Sequence, residues 1–82
     1  MRVEVTLKGS LAGQAEEALP GGWGTVEIEE GATLARLAED LGISVPHCIC
    51  VVNGSAVAPG TVLGEGDRVQ LFPAAAGGSL SP

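Results

Sequence analysis

Three stretches of this chain bring residues capable of chemistry close together. The first is PHCIC, residues 46–50, where the only histidine, His47, adjoins both cysteines, Cys48 and Cys50. On a strand the two cysteines point to one side and His47 to the other, so the three do not converge without a bend. A structural zinc site usually takes four protein ligands, and no further Cys or His exists to complete one. The single-residue spacing suits neither a disulfide within a strand nor a disulfide framework. Cys48 and Cys50 therefore read as small hydrophobes on a buried strand, with reduced thiols.

The second stretch is PGGWG, residues 20–24. It lacks the lysine and the Ser/Thr of a phosphate-binding loop and opens no helix. Trp23 reads as an aromatic tucked over a small core, with partner anchoring as the other reading. The carboxylates Glu27, Glu29 and Glu30 that follow alternate along a strand end, where they form a solvated face. Nothing suggests an apolar pocket that would raise a carboxyl pKa for general acid/base work. With one histidine, no tyrosine, and serines only at 10, 44, 55, 79 and 81, no nucleophile–base pair is legible. The chain does not read as an enzyme.

The third stretch is FPAAAGGSLSP, Phe72 to Pro82. Beyond the last strand, Gly77 and Gly78 lose more chain entropy on ordering than any other residue and serve no evident turn. Two readings stand. One is an inconsequential Ala/Gly tail, common at chain ends. The other is a thin extended arm, three methyl side chains and then none, able to enter a narrow channel on main-chain hydrogen bonds and to present a glycine carboxyl without a Cβ to crowd it. From the residues alone the two are even.

The elements that must carry this tail are readable from periodicity. Val3, Val5 and Leu7 alternate with Arg2, Glu4, Thr6 and Lys8 in a first strand, and Val26 and Ile28 with Glu27 and Glu29 in a second. Between them, residues 9–24 read as a connection of low order with a short helical turn around 14–19. Leu34, Leu37, Ala38 and Leu41 follow the helical period after an N-cap at Thr33, and Gly42 stands at C′. Residues 48–52 form an apolar strand, and Asn53-Gly54 signals a type I′ hairpin into a short return strand ended by Pro59-Gly60. RVQLF is the last strand, with Val69 and Leu71 inward and Arg68, Gln70 and Phe72 on the other face. The predicted fold is α+β, a β-grasp (ubiquitin-like) mixed sheet of four to five strands on one helix, spanning 1–73, followed by a tail over 74–82.

At 82 residues there is room for one domain only. The net charge of −6, with ten carboxylates against Arg2, Lys8, Arg36 and Arg68, repels phosphate backbones. Nucleic acid and anionic membranes are thus poor partners, and a basic protein surface a better one. No leader sequence and no apolar run near the roughly 20 residues that span a bilayer is visible, so the expected location is the cytoplasm.

Taken together, the apolar strand into VVNG (51–54), GEGDRVQLFP (64–73) and the DRV-x-LFP-x-x-x-GG spacing make the chain resemble the ThiS/MoaD family of ubiquitin-like sulfur carriers over residues 1–78. The spacing looks closer to the molybdopterin synthase small subunit than to the thiamine carrier. The resemblance implies that a ubiquitin-activating-like adenylating enzyme, using ATP and Mg, joins AMP to the Gly78 carboxylate. A sulfur donor or sulfurtransferase then supplies a persulfide or sulfide to leave a thiocarboxylate, which passes sulfur to an acceptor synthase subunit. It implies no cofactor bound by the chain itself. Phe72, with Pro73 and Ala76, is the expected docking element. One departure stands out: Ser79-Leu80-Ser81-Pro82 follow the pair, so Gly78 is held in an amide bond. The chain is similar in this to some related carriers of specialised sulfur pathways, whose short extension a JAMM-type zinc metallopeptidase removes, which makes Gly78-Ser79 the expected processing site. A ubiquitin-like modifier joined through Gly78 and a non-activated β-grasp binding subunit are the alternatives.

Overall fold

The computed structural model describes residues 1–43 and 48–73. Five strands form one sheet in the order β2-β1-β5-β3-β4: β1 Arg2–Leu7, β2 Trp23–Glu27, β3 Cys48–Val52, β4 Ser55–Val57 and β5 Arg68–Pro73, with the helix α1, Leu34–Asp40, between β2 and β3. The last strand lies in the middle, parallel to β1 and antiparallel to β3. That is the arrangement the residue pattern predicts. Its reason is burial: Val69 and Leu71 of β5, Val3, Val5 and Leu7 of β1, and Cys50 and Val52 of β3 all face the layer formed by Leu34, Leu37, Ala38 and Leu41. Placing β5 at the centre gives its two inward side chains apolar neighbours on both sides.

Both ends of α1 are satisfied locally. Thr33 Oγ1 accepts from the Arg36 N–H at 3.2 Å, while the loop after β4 supplies Thr61 O and Pro59 O for the N–H groups of Leu34 and Ala35. The otherwise orphaned donors of the first turn are thereby used up. At the other end Gly42, at φ +78°, donates to Glu39 O, and Ile43 N–H returns to Ala38 O at 2.8 Å. This is a Schellman closure, sealed by contact between the buried Ala38 and Ile43. Arg36 pairs with Asp40 at 3.2 Å, which raises the guanidinium pKa through the hydrogen bond and the charge of Asp40.

The hairpin after β3 has Asn53 at φ +53° and Gly54 at φ +87°, the two left-handed residues a type I′ turn needs. Asn53 has a second role. Its Nδ2 donates to Asp67 Oδ1 and its Oδ1 accepts from Arg68 N–H, both at 3.0 Å, while Asp67 Oδ2 accepts from Gly64 N–H at 2.7 Å. The tip of the hairpin thus pins the start of β5, and with it the register of everything downstream.

Residues 9–24 correct the sequence reading. They form a 3-10 segment over Gly9–Ala15, a turn, and a second 3-10 turn at Pro20–Gly22, and they supply Leu11, Ala15 and Leu19 to the core, each at most 4% exposed. The connection is a wall of the core and not a loop of low order. The four-residue spacing of those three side chains was its signal, masked by the glycines and Pro20. Trp23 is corrected too: it opens β2 and is 69% exposed, far from covering the core. Its neighbour Gly22 sits at φ +85°, where an added Cβ would lie 2.6 Å from Ala12 Cβ and 3.2 Å from Leu7 O. Gly22→Ala is expected to destabilise by about 2 kcal/mol or more, because left-handed strain and overlap add; urea unfolding measures it.

Candidate docking face and C-terminal arm

Pairing in the sheet settles which side chains share its uncovered face. Thr6 stands opposite Trp23 on one side and Gln70 on the other, and Gln70 stands opposite Val51. One step along, Phe72 faces Ile49 across the β5–β3 ladder. One step the other way, Glu4 faces Arg68, with Arg68 Nε 3.6 Å from Glu4 Oε1, and Arg2 lies 3.7 Å from Glu27. The face is therefore polarised along β5. Ion pairs and the Asn53–Asp67 hydrogen bond occupy the end where β5 begins, whereas Ile49, Val51, Phe72 and Trp23 surround Thr6 and Gln70 where it ends.

The sequence places Phe72 on this outer face, and there it is half-buried opposite Ile49, which is 49% exposed. Ile49 and Val51 were missed. Five consecutive apolar residues carry no alternation, so nothing in CICVV tells an inward residue from an outward one until β3 is seen in a sheet with only one covered face. Pro73 is the last residue of β5, opposite Cys48, and it rests on the β1 exit: an added Cβ at Gly9, at φ +57°, would stand 3.1 Å from Pro73 Cγ. Lys8 N–H donates to Leu71 O at 2.9 Å just before this contact. Pro73 is therefore held both by its place in the ladder to β3 and by ring packing at the β1 exit. Ala76, Gly77, Gly78 and Ser79 lie outside the described residues, as does His47.

The cysteines line the inner side of the same place. Cys50 is buried opposite Leu71 and Cys48 is half-buried. Desolvation pushes both thiols up, and for Cys50 the charge of Cys48 adds to it, which lowers the thiolate fraction and with it nucleophilicity at neutral pH. Among the described residues no group of three or more His, Cys, Asp or Glu gathers as a metal site. Glu29 and Glu30 are exposed. No helix among the described residues is long and apolar enough to cross a membrane.

A mixed five-stranded sheet with a central C-terminal strand, one helix across one face and a polarised open face defines a β-grasp, ubiquitin-like protein. The chain belongs to the ThiS family, whose model matches residues 11–78. Comparison with curated proteins returns no match. Among solved structures it is similar to SAMP1 from Haloferax volcanii, at 25% identity and TM-score 0.70, covering 95% of this chain and all of that one. It is also similar in fold to a putative molybdopterin converting factor subunit 1 from Pyrococcus furiosus, at 22% identity and TM-score 0.72, with 89% and 97% of the two chains covered. A third likeness is to a protein in a complex of subunits 1 and 2 of molybdopterin-converting factor from Helicobacter pylori, at 21% identity and TM-score 0.61, covering 95% of this chain and all of that one. Fold and family are those of a small carrier or modifier and suggest a carrier or subunit in place of a catalyst.

Proposed function

We propose that this protein is a ubiquitin-like sulfur carrier made as a precursor. The observation that carries the proposal is where the family match stops: it runs through residue 78, leaving Ser79-Leu80-Ser81-Pro82 outside. Hydrolysis of the Gly78-Ser79 peptide bond, the work of a JAMM-type metallopeptidase, frees the Gly78 carboxylate. That carboxylate attacks the α-phosphate of ATP on an adenylating enzyme, with Mg neutralising the phosphates, and pyrophosphate leaves. Sulfide then displaces AMP to give the thiocarboxylate; a persulfide donor first gives an acyl disulfide, which a thiol cleaves. The product sulfur is delivered to an acceptor, in molybdopterin-type or thiamine-type cofactor synthesis or to a metabolite.

In this reading the sheet face docks and the arm reacts. Phe72, Ile49 and Val51 hold a partner at the foot of the arm, and residues 74–78, with no side chain larger than a methyl, reach its active site. The complex recorded for the Helicobacter pylori relative supports a synthase subunit as one such partner. Phe72→Ala is expected to cost about 2 kcal/mol or more of partner binding, yet only about 1 kcal/mol of fold stability, since Phe72 is half-buried on the outer face opposite Ile49. Titration calorimetry against the adenylating enzyme, set beside urea unfolding, separates the two. The likeness to SAMP1, described for a second structure as a small archaeal modifier protein, favours a second reading in which the activated Gly78 is transferred to a lysine amine. Intact mass spectrometry of protein recovered from its native host decides. Loss of residues 79–82 with exchange of one oxygen for sulfur supports the carrier, and adducts on other proteins support the modifier. Recovery of the 82-residue chain alone, under sulfur demand and with a peptidase present, defeats both.

A further inference from the structure

The two edges of the sheet are not alike. β4 is three residues long and runs directly into Ala58-Pro59, a short, proline-ended edge of the kind that resists further pairing. β2 has five residues and neither proline nor lysine. Its hydrogen-bonding direction follows from the pair just beyond its end: Ile28 N–H donates to Met1 O, and Met1 N to Ile28 O, both at 2.8 Å. Alternation along an antiparallel ladder then turns the main-chain groups of Val26 and Gly24 towards β1, and those of Trp23, Thr25 and Glu27 away from it. The bonding of Glu4 and Lys8 to β5, at 2.9 Å each, agrees with that phase. Trp23, Thr25 and Glu27 are all exposed, and among the described residues no hydrogen bond takes up their outward N–H and C=O groups. A row of three main-chain donor–acceptor pairs is open.

That edge borders a cleft of about 440 Å³ between the end of β2 and α1, with Ile28 and Ala32 among its apolar lining and Glu27, Glu29, Asp40 and Arg36 among its charged residues. Arg36 is engaged by Asp40 and also feels the charge of Glu29, Arg2 pairs with Glu27, and the Met1 ammonium is held by Ile28 O, so the carboxylates Glu27, Glu29, Glu30 and Asp40 still outnumber the cations around the cleft. At the other end of β2, Glu16 accepts from Gly21 N–H at 3.4 Å and adds another carboxylate. Open main-chain groups, an adjoining cleft and negative charge at both ends call for one kind of occupant.

We propose that the β2 edge and its cleft form a second docking site, which takes an extended, basic segment of a partner protein as a sixth strand. Main-chain bonds to Trp23, Thr25 and Glu27 supply affinity. Alternate side chains divide by face: small apolar ones lie beside Gly24 and Val26, and basic ones lie towards Glu27, Glu29 and Glu30. The site uses none of residues 74–82 and does not depend on their processing.

The probe is the acetylated, amidated peptide Lys-Val-Lys-Val-Lys-Val, added to the full-length protein at low ionic strength and followed by amide NMR shifts and hydrogen exchange. The expected result is protection of the Trp23, Thr25 and Glu27 amides, absent with Glu-Val-Glu-Val-Glu-Val or with a central proline in the lysine peptide. Thr25→Pro removes an outward N–H and no β1 bond, so it is expected to abolish binding while the fold survives. Glu29→Lys is expected to weaken binding about tenfold by reversing a charge, an effect that fades with added salt; it carries the test where Thr25→Pro fails to fold. Equal perturbation around Glu65 and Asp67, undiminished binding by Glu29→Lys, or protection of the three amides by raising protein concentration alone would overturn the proposal. The last result would assign the edge to a second copy of the chain.

Discussion

A chain ending at Gly78 is expected to support ATP–pyrophosphate exchange with its adenylating enzyme, and the chain ending at Pro82 to support none. The reason is covalent. An amide carbonyl at Gly78 has no oxygen anion to attack the α-phosphate, so the effect is all or none in place of a change in affinity. The control is built into the fold: both forms share the sheet face around Phe72, so the extended form is expected to bind the same enzyme as an inactive competitor. Exchange supported by the extended form at a rate comparable to the truncated one, with mass spectrometry showing the extension intact, would sink the precursor reading. Gly78→Ala in the truncated chain should lose most exchange while leaving thermal stability unchanged, since the residue follows the last strand of the sheet in sequence.

The second large effect is on folding. Leu71→Ala is expected to destabilise by about 2–5 kcal/mol, a large part of the total for a domain of this size, which is of the order of 5–10 kcal/mol. Leu71 is fully buried, with Leu7 beside it on β1 and Cys50 on β3, so truncation opens a cavity between three adjacent strands. Partner binding should fall in step with the folded fraction, because Phe72 and Pro73 keep their positions only while β5 is docked. Urea unfolding and calorimetry on the same samples check this. Binding lost without a stability loss would mean that Leu71 contacts the partner directly. Phe72→Ala should show the opposite pattern, and the contrast separates a residue that holds the strand from one that holds the partner.

Much of this was legible before any coordinates. Thr33, the leucine period and Gly42 bound α1 because caps and amphipathic periodicity are local. Asn53-Gly54 specified its turn for the same reason: a left-handed pair has few other uses. The alternation in β1 and β5 gave the correct inward set, since a sheet with one covered face imposes a period of two. Where the pattern was weak the reading failed. Leu11, Ala15 and Leu19 were lost among glycines that lower helix propensity, although their burial comes from packing against the sheet and not from propensity. Trp23 reads as an aromatic over a small core, with partner anchoring as the other reading, and its pairing with Thr6 and its exposure show that it faces outward.

What the sequence determined by itself is the helix, the alternating strands, the Asn53-Gly54 turn and the Gly77-Gly78 pair followed by Ser79, because capping, period and covalent connectivity are properties of neighbours along the chain. Tertiary structure decided the rest. That Ile49 and Val51 join Phe72 on one face, that Asn53 reaches Asp67 to set the register of β5, and that β2 forms the longer of the two sheet edges all depend on contacts between segments distant in sequence. Their order in the sheet is fixed by how the apolar faces can be buried together, and no local window contains that information.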